Sequence, residues 1–125
     1  MSGDRFLLDT NIIIGMYQRN AEVFTLLSAS SARLADSGYN SVTRIELLSY
    51  PGITAAEEAA INALLDSLSH YPLTRIIENG AIAIRRAHRI KLPDAVILAT
   101  AQAHELALLT LDQKLAVLAL SLIHI

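Results

Sequence analysis

Four acids in this 125-residue chain stand in unusual company. Asp9 closes the apolar run Phe6-Leu7-Leu8, Asp112 follows Leu108-Leu109-Thr110-Leu111, Glu46 is wedged between Ile45 and Leu47, and Asp94 lies between Pro93 and Ala95-Val96-Ile97. Carboxylates gathered in one place repel one another unless cations sit among them, and hard oxygen donors select Mg2+ or Mn2+ over softer metals. Such a set would serve metal-assisted hydrolysis of a phosphodiester, in which the ion lowers the pKa of a bound water and neutralises charge building on the phosphate. Each acid taken singly has a plainer reading. Asp is among the best helix N-caps, and Glu46 suits a solvated helix face. The conjunction of four is what favours a site.

The elements that must position these acids are written in the hydrophobic pattern. Residues 5–8 read as a buried strand, and Asp9-Thr10-Asn11 offers three capping side chains before Ile12, Ile13, Ile14, Met16 and Tyr17. A helix is expected over residues 22–34, a break at Gly38, and a short strand over 39–42. Thr43, with Glu46 three residues on, suits a helix start that Pro51-Gly52 stops. Thr54 caps a helix over residues 55–68, where Ile61, Leu64, Leu65 and Leu68 lie opposite Glu57, Glu58 and Asp66. A brief strand over 71–74, a helix over 76–90, a helix opened by Pro93-Asp94 and ending near 105, and a strand over 106–110 continue the alternation. From Gln113 the pattern fits either a helix or a final strand over 118–123, because period alone does not assign an unbroken apolar run. Alternating strands and helices imply an α/β sandwich with a mostly parallel sheet covered on both faces. Ligand crevices in such sheets lie outside the carboxyl ends of the strands, and all four acids belong to that end.

In order along the chain, Phe6-Leu7-Leu8-Asp9-Thr10-Asn11, Ser41-Val42-Thr43-Arg44-Ile45-Glu46-Leu47, Leu92-Pro93-Asp94-Ala95-Val96-Ile97-Leu98-Ala99-Thr100-Ala101 and Leu108-Leu109-Thr110-Leu111-Asp112 resemble the four motifs of PIN-domain ribonucleases. The look is closest to the VapC-type toxins of bacterial toxin-antitoxin systems. The first and third motifs are the more specific, and the resemblance runs from residue 6 to about 115. It implies a PIN-like three-layer α/β/α sandwich with a mostly parallel four- or five-stranded central sheet, formed as one domain by residues 1–125. It implies a metal-dependent endoribonuclease in which Asp9, Glu46, Asp94 and Asp112 hold one or two Mg2+ or Mn2+ ions and the Thr110 hydroxyl helps order the site. It also implies a homodimer bound by an antitoxin along a hydrophobic groove, with a basic antitoxin residue reaching the acidic pocket. Val23, Leu26 and Leu27, with the helical residues 61–68, are the expected groove. Leu111 stands where relatives often carry a small polar residue, and residues 118–125 are the only candidate for a fifth strand. Asn11 is expected either to support Asp9 by hydrogen bonding or to act as a plain cap.

Arg85, Arg86, Arg89 and Lys91, with His88 among them, form a local basic cluster that either contacts RNA phosphates or is a solvated helix face. Bulk charge announces no polyanion partner, since ten Lys and Arg against twelve Asp and Glu leave a net charge of -2. The absence of cysteine excludes disulfides and thiolate zinc sites, and His70, His88, His104 and His124 lack metal-ligand spacing. The longest stretch free of charged residues, 115–125, falls short of the roughly 18 needed for a membrane span. Asp9 interrupts the first apolar run, so no signal peptide is expected and the protein is read as cytoplasmic. A hydrophobic content of 53% and a mean hydropathy of +0.41 point to one large core. Other classes fit less well. A haloacid dehalogenase-type phosphotransferase carries a second Asp where this chain has Asn11. A phosphorelay receiver needs an acidic pair near its first strand and a phosphoacceptor Asp near residues 50–54. The alternative is a non-catalytic binding module, with the acids as caps, or an RNA-processing component.

Overall fold

Phe6, Leu7 and Leu8 are all buried, so the first strand has no wet face and must run through the middle of a covered sheet. The computed structural model, which describes residues 3–123, places it there. Strands β1 (Phe6–Leu8), β2 (Ser37–Asn40), β3 (Ser69–Tyr71) and β4 (Ala107–Leu109) form one sheet in the order β3-β2-β1-β4. All pairings are parallel, with Leu7 opposite Gly38 on one side and Leu108 on the other. Helices α1 (Thr10–Tyr17), α2 (Ala21–Ala29), α3 (Ser41–Leu48), α4 (Ala55–Asp66), α5 (Arg75–Ala87), α6 (Leu92–His104) and α7 (Gln113–Ile123) complete the chain.

Strand alternation divides the core. On one face Phe6, Leu8, Tyr39 and Leu109 meet Ile12, Ile13, Val23, Ile61 and Leu65 from α1, α2 and α4. On the other Leu7 meets Ile97 and Ala101 of α6, which is covered in turn by α5 and α7 through Ile77, Ile84 and Leu115. Every residue of α6 from Ala95 to Ala101 is buried, which accounts for its unbroken apolar sequence. Burying side chains such as Ile97 and Leu98 stabilises the fold by about 1.5–3 kcal/mol each, so α6 anchors its first-turn Asp94 firmly.

Several expectations shift. The second strand was expected over 39–42 with a helix start at Thr43. Instead β2 ends at Asn40, whose side chain accepts the Val42 N–H at 2.8 Å and starts α3 two residues sooner. The Asn40 amide is fully buried and donates to the Tyr71 carbonyl and the Thr100 hydroxyl, so a polar residue acts as a tie inside the core. Gly38 lies within β2 and does not break the chain there. A Cβ at this position would collide with the Tyr71 ring on β3. Gly15 has the same role between helices, giving room to Val23 where α1 meets α2.

The expected 22–34 helix stops at Ala29, the 76–90 helix stops at Ala87, and the strand expected at 71–74 lies at Ser69–Tyr71. The tail is helical. Asp112 accepts the Leu115 N–H at 3.1 Å, and Leu115 and Ala119, four residues apart, are buried against α6. No fifth strand occurs among the described residues. Residues 124 and 125 of that candidate strand, with His124, lie outside them.

Candidate active site

The chain leaves β1 toward β2 on one side and returns as β4 on the other, which opens a crevice beyond the carboxyl ends of β1 and β4. Asp9 follows β1, Thr110 and Asp112 follow β4, Glu46 lies on α3 after β2, and Asp94 lies in the first turn of α6.

Asp9 is buried and surrounded by donors. One carboxylate oxygen accepts the Thr10 N–H at 2.7 Å, and the other accepts the Thr110 hydroxyl at 2.7 Å and the Asn11 amide at 3.4 Å. Thr110 Oγ1 accepts in turn from the Asp112 N–H at 3.0 Å and from Asn11 at 3.3 Å, while Asn11 Oδ1 accepts the Leu111 N–H at 3.1 Å. One network therefore fastens the end of β1 to the turn after β4. Asn11 bonds Asp9, and Asp9 itself is the cap of α1. Capping and lining the crevice are not exclusive, because a carboxylate has lone pairs to spare beyond one backbone N–H. The network takes only the backbone N–H of Leu111, whose side chain packs on the α1–α2–α4 core, so an apolar residue at that position leaves it intact.

Glu46 is exposed and held by a neighbour that sequence patterning passed over. The Thr10 hydroxyl donates to Glu46 Oε1 at 2.7 Å and lies 3.1 Å from the buried Thr43 hydroxyl. Both threonines were legible only as helix-start residues. The signal that would have found them is position, since Thr10 follows Asp9 directly and Thr43 precedes Glu46 by three, on the same helix face.

Asp94 differs from the others. It is half-buried, and no described residue donates a hydrogen bond to it. Its carboxyl is pushed above the ordinary carboxylate range, chiefly by burial and then by the charges of Asp9, Asp112 and Glu46, with Lys91 opposing. Asp94 thus lies within reach of the charges of the other three acids. Among the described residues no three carboxylates or imidazoles are drawn together tightly enough to clasp one ion directly. Mg2+ keeps several waters and binds through one or two carboxylates, so a hydrated ion would need no tighter cluster than this. A cation there would also relieve the repulsion recorded at Asp94.

Arg85, Arg86, Arg89 and Lys91 stay exposed along the end of α5 and its connection to α6, outside the acidic crevice but beside it. Most of the expected groove is filled: Val23, Leu65 and Leu68 are core, with Leu26 and Leu64 packed against them, while Leu27 and Ile61 each also line a cleft. The cleft that Ile61 lines, about 230 Å3 between α1, α3 and α4, is otherwise formed by Ile14, Tyr17, Tyr50 and Ile53, with Glu46 on its rim. His70 stacks on Tyr39 and bonds with Ser41, and His104 tilts against Tyr71, away from the acids. No helix among the described residues is long and apolar enough to cross a membrane.

The fold and its crevice define an α/β protein with acids around the switch point of a parallel sheet. The PIN domain matches residues 6–120, and the chain belongs to that family. Its structure is similar to a toxin-antitoxin complex from Klebsiella pneumoniae, with a TM-score of 0.74 and 29% identity over 86% of this chain and 87% of that one. FitAcB from Neisseria gonorrhoeae shares the fold at a TM-score of 0.71 and 24% identity, over 91% and 92% of the two chains. So does VapBC2 from Rickettsia felis, solved bound to a DNA fragment from its promoter, at 0.69 and 18% over 87% and 88%. No curated protein matches the chain.

Proposed function

We propose that this protein is a metal-dependent endoribonuclease and the toxin of a toxin-antitoxin pair. The observation that carries the reading is Asp94, an acid without a donor facing three other acids across the crevice. Asp9, Glu46, Asp94 and Asp112 would hold Mg2+ or Mn2+, which supplies an activated water and charge neutralisation at the phosphate. Asp9, fixed by Thr10, Thr110 and Asn11, sets the floor of the site. Glu46, tied through one oxygen to Thr10, keeps its other oxygen for orienting an attacking water at the mouth. Thr110 keeps Asp9 and the Asp112 backbone in register, so its role is positioning.

The likeness to a Klebsiella pneumoniae toxin-antitoxin complex supports an antitoxin partner. The α1–α3–α4 cleft, apolar with Glu46 on its rim, suits an amphipathic segment that brings a basic residue to the acids. A homodimer and a cytoplasmic location belong to the same reading, and exposed Val117 and Leu120 on α7 offer apolar surface for self-association. The test is cleavage of single-stranded RNA by purified protein with Mn2+. Cleavage that EDTA stops, and that Asp9→Asn and Asp94→Asn lack, supports the reading. Cleavage undiminished by either substitution overturns it. The second reading, a binding module with acids as caps, draws on Asp9 and Asp112, which both cap helices. It requires that Mn2+ change neither cleavage nor melting.

A further inference from the structure

Four of the ten Lys and Arg residues fall within residues 85–91, and no Asp or Glu occurs between Glu78 and Asp94. The fold makes this segment concave. Arg85, Arg86, Arg89 and Lys91, with His88, line a hollow of about 850 Å3 where α5 passes into α6. Among the described residues none of these four cations is in an ion pair or a side-chain hydrogen bond, whereas Arg33 and Arg75 are paired with Asp36 and Glu78. Unpaired cations crowded in this way repel one another, and an anion relieves that repulsion. Part of the lining is apolar and accessible: Ile82 and Leu92 belong to it while 48% and 57% exposed.

Location connects the hollow to the acids. Leu92 and Asp94 share the first turn of α6, one lining the hollow and the other the crevice. Lys91 lines the hollow and is close enough for its charge to act on Asp94. A polyanion approaching four carboxylates is repelled, and cations on the adjoining flank offset that repulsion along the backbone leading to the reacting phosphate.

We infer that the α5–α6 hollow seats backbone phosphates of single-stranded RNA next to the scissile one, with Arg85, Arg86, Arg89 and Lys91 on the phosphates and Ile82 and Leu92 against an unstacked base or ribose. The inference rests on the nuclease reading for the choice of RNA. The exposed apolar side chains in the lining select a single strand, because a duplex hides its base faces.

The test uses an oligouridylate of about 16 nucleotides, the upper end of ordinary single-strand site sizes. Binding is measured in the Asp9→Asn background with Mn2+ present, and steady-state cleavage in the otherwise unaltered protein. Arg85→Gln/Arg89→Gln should weaken binding at least about tenfold and flatten the log–log salt slope by about 1.4, two lost contacts at about 0.7 each. KM should rise with kcat kept within a few-fold. Arg85→Lys/Arg89→Lys should recover most of the affinity, and Arg75→Gln, on the same helix but outside the hollow, should change neither quantity. If the double variant does not fold, Lys91→Gln gives the same readout with half the slope change.

An unchanged slope and KM in protein that cleaves RNA overturns the inference and leaves the nuclease reading standing. Duplex DNA bound as tightly as the oligouridylate, with the same dependence on Arg85 and Arg89, also overturns it. Arginine-dependent binding of the oligouridylate without any cleavage overturns the nuclease reading and leaves the seat standing.

Discussion

The two sides of the acidic crevice are built on opposite terms. On the β1–β4 side, Asp9 accepts from Thr10, Asn11 and Thr110, and Asp112 accepts from the Leu115 N–H, so each carboxylate there has internal donors. On the α6 side, Asp94 has no donor among the described residues, acidic neighbours in Asp9, Asp112 and Glu46, and partial burial. A carboxylate rich in donors is held in place by the fold. One without donors is left to be satisfied from outside, by a cation or a proton. The difference separates positioning from function: the donor-rich side fixes where the site is, and the donor-poor side determines what it must bind.

Breaking either side at the carboxylate itself should have the largest effect. Asp9→Asn and Asp94→Asn each remove a charge while keeping the shape, and each should lower RNA cleavage by about 10^3-fold or more, roughly 4 kcal/mol of transition-state stabilisation. Single-turnover assays with Mn2+ measure this. Loss in only one of the two would show that the two sides do not serve one reaction.

Metal should act through the donor-poor side. An ion that binds only the native state stabilises by about 2.7 kcal/mol at a hundredfold excess over its dissociation constant. Calorimetric melting with added Mn2+ should raise the midpoint of wild type and raise that of Asp94→Asn less. Equal shifts in the two proteins would mean that Asp94 takes no part in holding the ion.

Thr110→Val should be smaller and should act on the donor-rich side alone. It takes the strongest side-chain donor from Asp9 and the acceptor from the Asp112 N–H, leaving buried polar groups short of partners at a cost of about 1–3 kcal/mol. The melting midpoint should fall in EDTA as well as in Mn2+, and Thr110→Ser, which keeps the hydroxyl, should restore most of it. A valine variant as stable as wild type would show that the network does not hold the site together.

How much of this was legible in the sequence follows the same division. Asp9, Asp94 and Asp112 stood out because charge next to unbroken apolar runs is visible without a structure, and strand-helix alternation located them at one end of the sheet. The partners were less visible. Thr10 meets Thr43 and Glu46 only because α1 and α3 lie side by side, a tertiary fact that the spacing within α3 does not reveal. Asn40 and Gly38 carry turn-like propensities that packing overrides: one caps α3 from inside the core, and the other makes room for Tyr71. The groove expected at Val23 and residues 61–68 is mostly core, with Ile61 reaching the cleft, for a related reason. Apolar helical spacing identifies a face that must be covered, and here the protein's own sheet covers it. The tail was undecidable by period, and the Asp112 cap with burial at 115 and 119 resolved it as a helix.

The smallest expected effect tests the donor-poor side without substrate or metal. Asp94 has its carboxyl raised above the ordinary value of 3.8, so between that value and its folded pKa the native state holds more protons than the unfolded chain. Stability from this group therefore falls as pH rises through that window, and the full penalty is present at neutral pH. Below the unfolded value both states are protonated and the penalty vanishes. In EDTA, Asp94→Asn should melt at or above wild type near pH 7, and the two curves should converge as pH drops below about 4. Every other acid is common to both proteins, so the difference isolates position 94 and its surroundings. Two effects oppose this outcome: Lys91 favours the charged carboxylate, and Asp94 is in the first turn of α6, where the helix macrodipole favours a negative charge by about 0.3–1 kcal/mol. Burial together with repulsion from Asp9, Asp112 and Glu46 should outweigh them, since each of these acts on a partly desolvated carboxylate and no donor compensates. An asparagine variant that melts below wild type at neutral pH, with the gap closing in acid, would show that the opposing effects win. Asp94 would then be stabilising as an ordinary first-turn acid, and the contrast between the two sides of the crevice would collapse.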